Sequence, residues 1–184
     1  MFDKAIIFAT KAHSGSFRKG TKTPYIVHPL EAAAIVATIT NDEEVLAAAV
    51  LHDVVEDTEF GVEDIRREFG ERVAGLVASE SEDKREDLPS ADTWKIRKQE
   101  TLDYLESKAS LEEKMVALGD KLSNIRAMYR DYAEIGDALW ERFNQKDKNE
   151  HAWYYRGVAG RLGELADTAA YKEYVELVGK VFGE

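Results

Sequence analysis

The chain has 184 residues, 44% of them apolar and 33% charged, with a formal net charge of −11 and no cysteine. That length and balance suit a globular domain with a substantial core and exclude a disordered chain. The missing thiols exclude disulfides, thiolate metal sites and a cysteine nucleophile and fit a cytoplasmic protein, while the negative charge disfavours wrapping by DNA or RNA.

Helical signals dominate in chain order. The opening MFDKAIIFATKAHSG is too polar for a signal peptide. No run reaches the roughly 20 apolar residues that span a membrane. A first helix is expected over 3–13, followed by the Gly-, Ser- and Lys-rich loop SGSFRKGTKTPY. His28-Pro29 marks a helix start, because proline suits the first helical turn; LEAAAIVATIT carries that helix towards Asn41-Asp42. The next segment, EEVLAAAVLHDVVED, is apolar around most of its circumference and predicts one buried central helix. Short helices are expected over 60–69 and 72–77, around Gly70. The charged, proline-broken SESEDKREDLPSAD reads as a surface loop. Longer helices are expected over 93–107, 111–129, 135–144, 151–166 and 171–182. Without alternating strand patterns, repeats or linkers, the expectation is an all-α helical bundle forming one domain over 1–184.

The chemistry centres on His52-Asp53, at the end of the buried helix. Burying a carboxylate beside an imidazole is costly unless something pairs with them, and a divalent metal would. One turn on, Glu56 should lie over His52 and Asp57 over Asp53. The plainer alternative is a helix end emerging into solvent. His28 at a helix start and Asp120 in MVALGDKLSNIR would each, alone, read as a cap and a solvent-facing residue. With His52 and Asp53 they make two imidazoles and two carboxylates, a mixed N/O set that suits Mn²⁺, Fe²⁺, Zn²⁺ or Ni²⁺. Such an ion can activate water and polarise a phosphoryl oxygen.

The loop residues Arg18, Lys19 and Lys22 concentrate positive charge in an acidic chain. Arginine forks onto phosphate or stacks on a base, and lysine acts as a point charge; an ordinary solvated loop has the same composition. Lys121 could reach a phosphate, and Asn124, one turn beyond Asp120, could bond a ribose or base. Trp153-Tyr154-Tyr155-Arg156 either lines the same pocket or packs the core. Ser14 and Ser16 near His13 lack an identifiable acid to complete a nucleophilic site. No GxxxxGK[ST] or GxGxxG occurs.

The string AHSGSFRKGTKTPYIVHPLEAAAIV, followed by LHDVVEDT, FGERVAGLV, SEDK and LGDKLSNIR, resembles the HD hydrolase domain of RelA/SpoT homologues, and more closely the small stand-alone alarmone hydrolases. The resemblance implies an all-α HD-domain helical bundle that removes the 3′-pyrophosphate from guanosine tetra- or pentaphosphate. It implies Mn²⁺ held by His28, His52, Asp53 and Asp120, and a catalytic pair, Glu56 and Asp57, that positions and deprotonates the attacking water. It places Arg18 and Lys19 on base and phosphate, Asn124 on the nucleoside and Tyr154 near the 3′ phosphates. The implied partner is a small nucleotide; the charge and hydropathy argue against nucleic acid and membrane, and 184 residues leave no room for the synthetase domain of the family's long members, so synthesis is not expected. Two alternatives remain open. One is the same site acting on an adenosine alarmone, a phosphorylated dinucleotide cofactor or a nucleoside monophosphate. The other is a nucleotide sensor that no longer turns over. Gly119 stands where the resembled family commonly carries Ala; glycine costs helix stability by up to roughly 1 kcal/mol, predicting a locally looser helix.

Overall fold

The computed structural model describes residues 1–82, 85 and 87–183. Among them are ten α-helical segments, two 3₁₀ segments and no strand, apart from one isolated bridge between Phe17 and Pro24. The α-helices are α1 (Phe2–Ala12), α2 (Val27–Val36), α3 (Glu43–Leu51), α4 (Val54–Asp57), α5 (Val62–Phe69), α6 (Glu71–Glu80), α7 (Ser90–Ser107), α8 (Leu111–Ile135), α9 (Lys148–Arg161) and α10 (Ala169–Phe182). No helix among the described residues is long and apolar enough to cross a membrane.

Local chemistry starts the helices. Asp42 accepts from the Glu44 amide ahead of α3, Asp147 from Asn149 ahead of α9, and Thr168 from Tyr171 ahead of α10. Ser110 and Glu113 form a reciprocal capping box on α8, satisfying amides that have no partner within the helix. The long α8 is the organising element and packs on α2, α3, α6 and α10. Leu118, Leu122 and Ile125 of α8 join one buried cluster with Tyr154, Tyr155 and Tyr174. Val116 of α8 joins a second, with Val45, Leu51, Ile65 and Val77. The helix pair α2 and α8 contributes side chains to both clusters.

Several boundaries differ from expectation. The central helix is two helices: α3 stops at Leu51 and α4 starts at Val54. The cause is local. The His52 ring hydrogen-bonds through Nδ1 to the Ala49 carbonyl at 2.8 Å, the acceptor a continuing helix would offer to the Asp53 amide. Helix α2 ends at Val36, not near Asn41: beyond it the Thr38 and Ile39 amides turn back three residues to the Ile35 and Val36 carbonyls, and the Thr38 hydroxyl also takes the Ile35 carbonyl. The expected loop 79–92 is shorter: α6 runs to Glu80 and α7 begins at Ser90. Within that loop Asp83, Lys84 and Glu86 lie outside the described residues, as does Glu184. Helix α8 continues to Ile135 and stops at Gly136, whose φ of 57° lies in the left-handed region. The helix expected over 135–144 is a 3₁₀ segment, Gly136–Arg142, and the one over 151–166 is α9 followed by 3₁₀ Gly163–Leu165.

Gly119 is buried where α8 meets α2, and α8 runs unbroken through it instead of loosening. A Cβ there would come within 2.7 Å of Val36 Cγ2 and 2.8 Å of the Ala32 carbonyl oxygen. Backbone cannot rotate away as a side chain can. Gly119→Ala is therefore expected to destabilise: overpacking costs about 1–3 kcal/mol, against a helix-propensity gain of at most about 1 kcal/mol. Urea unfolding measures the net sign, and an equal or higher midpoint refutes the packing argument.

Candidate active site

Three segments bring four donor atoms together. His28 lies in the first turn of α2, His52 and Asp53 form the turn between α3 and α4, and Asp120 lies mid-way along α8. The two imidazole Nε2 atoms are 3.2 Å apart. Asp53 Oδ2 lies 3.3 Å from His28 Nε2 and 3.1 Å from His52 Nε2. Asp120 Oδ1 lies 3.1 and 3.6 Å from the same two nitrogens. Both histidines and Asp120 are buried.

The far side of each ring sets its tautomer. His52 Nδ1 donates to the Ala49 carbonyl. His28 Nδ1 lies 2.8 Å from Ser123 Oγ, and that hydroxyl donates to Glu31 Oε2 at 2.8 Å. A neutral ring making these bonds presents an Nε2 lone pair to the centre. Glu31 is held in turn by Arg126, which forks onto Glu173 of α10 with two 2.7 Å bonds.

Burial pushes His52 towards neutrality, but Asp53 and Asp120 outweigh it and hold its pKa well above the usual histidine value. Burial likewise raises the two carboxylates. The imidazoles overcome it for Asp53; Lys121, then the imidazoles, overcome it for Asp120, and both end well below the usual range. The cluster draws positive charge to its centre, and a divalent ion entering it would release a proton. Donors around one ion, with bonds of about 2.1 Å, stand roughly 3.0–3.5 Å apart. The observed spacings and the mixed N/O chemistry fit a divalent metal, and His28, His52 and Asp120 can hold one.

Two cavities meet beside this cluster. The smaller, about 180 Å³, is lined by Glu56, Asp57, Glu80, Glu82, Lys98 and Lys121 together with the cluster itself. The larger, about 430 Å³, has apolar wall residues Met128, Leu139 and Phe143, with Lys19, Arg130 and Arg142 adding charge. Arg18, Tyr25, His28, Asp57 and Asn124 border both.

Asp57 still stacks over Asp53, its amide bonded to the Asp53 carbonyl at 2.9 Å. Glu56 lines the small cavity together with His52 and Asp53. Arg18 donates to Asn124 Oδ1 at 2.6 Å, and Asn124 donates to Asp120 Oδ1 at 2.5 Å. Lys121 pairs with Asp120. Lys19 is exposed and reaches Asn144 at 3.3 Å. Tyr154 lines neither cavity; it is buried, its hydroxyl has no hydrogen-bond partner among the described residues, and Lys98 sits over its ring at 4.9 Å.

Sequence reasoning missed Tyr25, Ser123, Glu80, Glu82 and Lys98. The Glu80 carboxyl is pushed up to about 7 by burial, with Asp120 and Asp53 adding to the rise and Lys121 opposing it. Glu82 accepts from Arg97, Lys98 and Thr101. Both glutamates belong to a charge run that reads as solvated until their partners are known.

Over residues 5–149 the sequence matches the family described as HD domain. It is 33% identical to a Streptomyces coelicolor GTP pyrophosphokinase and 31% identical to an Aquifex aeolicus guanosine-3′,5′-bis(diphosphate) 3′-pyrophosphohydrolase, each over 97% of this chain. The chain spans only 21% and 25% of the length of those two relatives. A Drosophila melanogaster guanosine-3′,5′-bis(diphosphate) 3′-pyrophosphohydrolase is 35% identical over 128 residues, 68% of either chain. Among solved structures, a metazoan ortholog of SpoT that hydrolyses ppGpp superposes with a TM-score of 0.75 at 27% identity, covering 97% of this chain and 93% of the other. A Listeria monocytogenes EGD-e protein superposes with a TM-score of 0.74 at 34% identity, covering 85% and 99%.

Proposed function

The chain belongs to the HD-domain family, and from that premise we propose that it is a Mn²⁺-dependent hydrolase removing the 3′-pyrophosphate of guanosine tetra- or pentaphosphate. The observation that carries the reading is the convergence of His28, His52, Asp53 and Asp120 at the junction of a small polar cavity and a larger cavity with apolar walls. The relatives' named substrate has two such parts, a pyrophosphate and a nucleoside. Residues 1–184 act as one unit in this proposal.

His28, His52, Asp53 and Asp120 would hold Mn²⁺, which when bound supplies Lewis acidity at the phosphoryl group. Water attacks the phosphorus on O3′, the P–O3′ bond breaks, pyrophosphate leaves with the attacking oxygen, and O3′ ends as a hydroxyl. Glu56 and Asp57 orient that water, and Glu56 accepts its proton. Arg18, on the border of both cavities, would stack on the base, and Lys19, exposed beside the larger cavity, would meet phosphate. Lys121 offsets charge on the departing group. Asn124 holds Asp120 and Arg18 in register with the nucleoside, and Tyr154 supports Lys98 from behind the cavity wall. Mn²⁺-loaded protein incubated with ppGpp should yield GDP and pyrophosphate on ion-exchange chromatography. Intact ppGpp despite bound metal sinks the substrate assignment, and adenosine alarmones and phosphorylated dinucleotides run alongside identify the replacement.

A further inference from the structure

Tyr25 joins the loop to α2. Its amide bonds to the Ser16 carbonyl at 2.9 Å, and its carbonyl accepts from the His28 amide at 3.0 Å. The ring is packed on three sides. The buried His13 ring lies at 4.8 Å, the His28 ring meets it edge-on at 6.0 Å, and the Arg18 guanidinium covers it at 5.5 Å. So held, the phenol oxygen lies 2.8 Å from Asp53 Oδ2 and 2.9 Å from Asp57 Oδ2. The Asp53 oxygen it meets is the one that faces both histidines.

A phenol has one proton to donate. Two carboxylates within hydrogen-bond distance of that one proton share it, and the shared donor offsets the repulsion between them. We propose that Tyr25 is a positioning residue: its hydroxyl sets Asp53, towards the metal, and Asp57, towards the water, as one unit. This rests on the hydrolase reading above. Asp53 without this donor can turn its oxygen away from the histidines, and Asp57 without it loses a tether at the border of the two cavities.

The test is Tyr25→Phe, which keeps the ring and removes only the hydroxyl. Loss of an outer hydrogen-bond partner of a metal site typically costs about 10–100-fold in metal affinity or activity. The expected result is a kcat on ppGpp lower by about 10–100-fold, a KM within about threefold, and Mn²⁺ affinity by calorimetry weaker by about tenfold. Thermal unfolding should shift by only a few degrees. Asp57→Ala removes one of the two partners, so the kcat loss of the double variant Tyr25→Phe/Asp57→Ala should be smaller than the product of the two single losses, while its Mn²⁺ affinity should still fall by about tenfold through Asp53. Wild-type kcat and Mn²⁺ affinity in Tyr25→Phe overturn the proposal, as do fully additive losses of kcat in the double variant. So does a fall in Tm above about 10 °C that tracks the loss of turnover, which would make the hydroxyl a support of the fold. Should the wild type leave ppGpp intact, the hydrolase reading fails, and Mn²⁺ affinity alone decides Tyr25: about tenfold weaker supports its hold on Asp53, and unchanged affinity overturns it.

Discussion

Glu56→Gln should lower kcat by about 10²–10⁴-fold, the usual contribution of a general base, while Mn²⁺ still binds. Glu56 lines the small cavity with His52, Asp53 and Lys121, yet it is not one of the four groups whose donor atoms converge. Glutamine keeps the length and most of the hydrogen bonding of glutamate but has no useful basicity. Ground-state binding of the nucleotide should therefore change little, and the loss should fall on kcat with KM nearly constant. Steady-state kinetics beside a Mn²⁺ titration measures both halves. A variant that turns over within about threefold of wild type removes Glu56 from the mechanism. One that no longer binds Mn²⁺ makes it a ligand instead.

His52→Ala is expected to have the second large effect, and its signature is different. The imidazole is fully buried, and its Nε2 lies within 3.6 Å of donors from all three partner residues. Deleting it should weaken Mn²⁺ by more than the roughly 10–100-fold lost with an outer partner. The cavity left behind and the Ala49 carbonyl deprived of its donor should cost about 2–4 kcal/mol of stability. Ligand binding adds stability as RT ln(1 + [L]/Kd), about 2.7 kcal/mol at a hundredfold excess over Kd. Urea unfolding with and without Mn²⁺ should show that gain for the wild type and none for His52→Ala. A metal-dependent gain in the variant would mean that the ion sits elsewhere.

The all-helical fold was legible because the apolar residues recur at helical spacing in nearly every segment. The cluster was legible for a related reason: His52-Asp53 ends an otherwise apolar helix, where unpaired polar groups are costly. The break at His52 was not legible, since the periodicity of EEVLAAAVLHDVVED cannot reveal that a side chain will take the Ala49 carbonyl. Tyr25 was hidden for want of any pattern; its position depends on the Phe17–Pro24 bridge folding the loop back onto α2. Glu80 and Glu82 were read as solvated because a charge run does not show its partners. Lys121 of α8 and Lys98 of α7 approach them only in the assembled bundle. Ser123 and Glu31 were invisible likewise, being 92 residues apart in the chain.

The tight seat of Gly119 bears on how firmly the cluster holds its shape. The Ala32 carbonyl and Val36 leave no room for a methyl group there, so α2 and α8 are as close as backbone permits, and the packed clusters on either side resist their separation. His28 comes from one helix and Asp120 from the other, and their donor atoms keep a 3.1 Å edge. The spacing of these two donor atoms thus originates in a helix crossing one residue away from Asp120, in a side chain reduced to a single hydrogen.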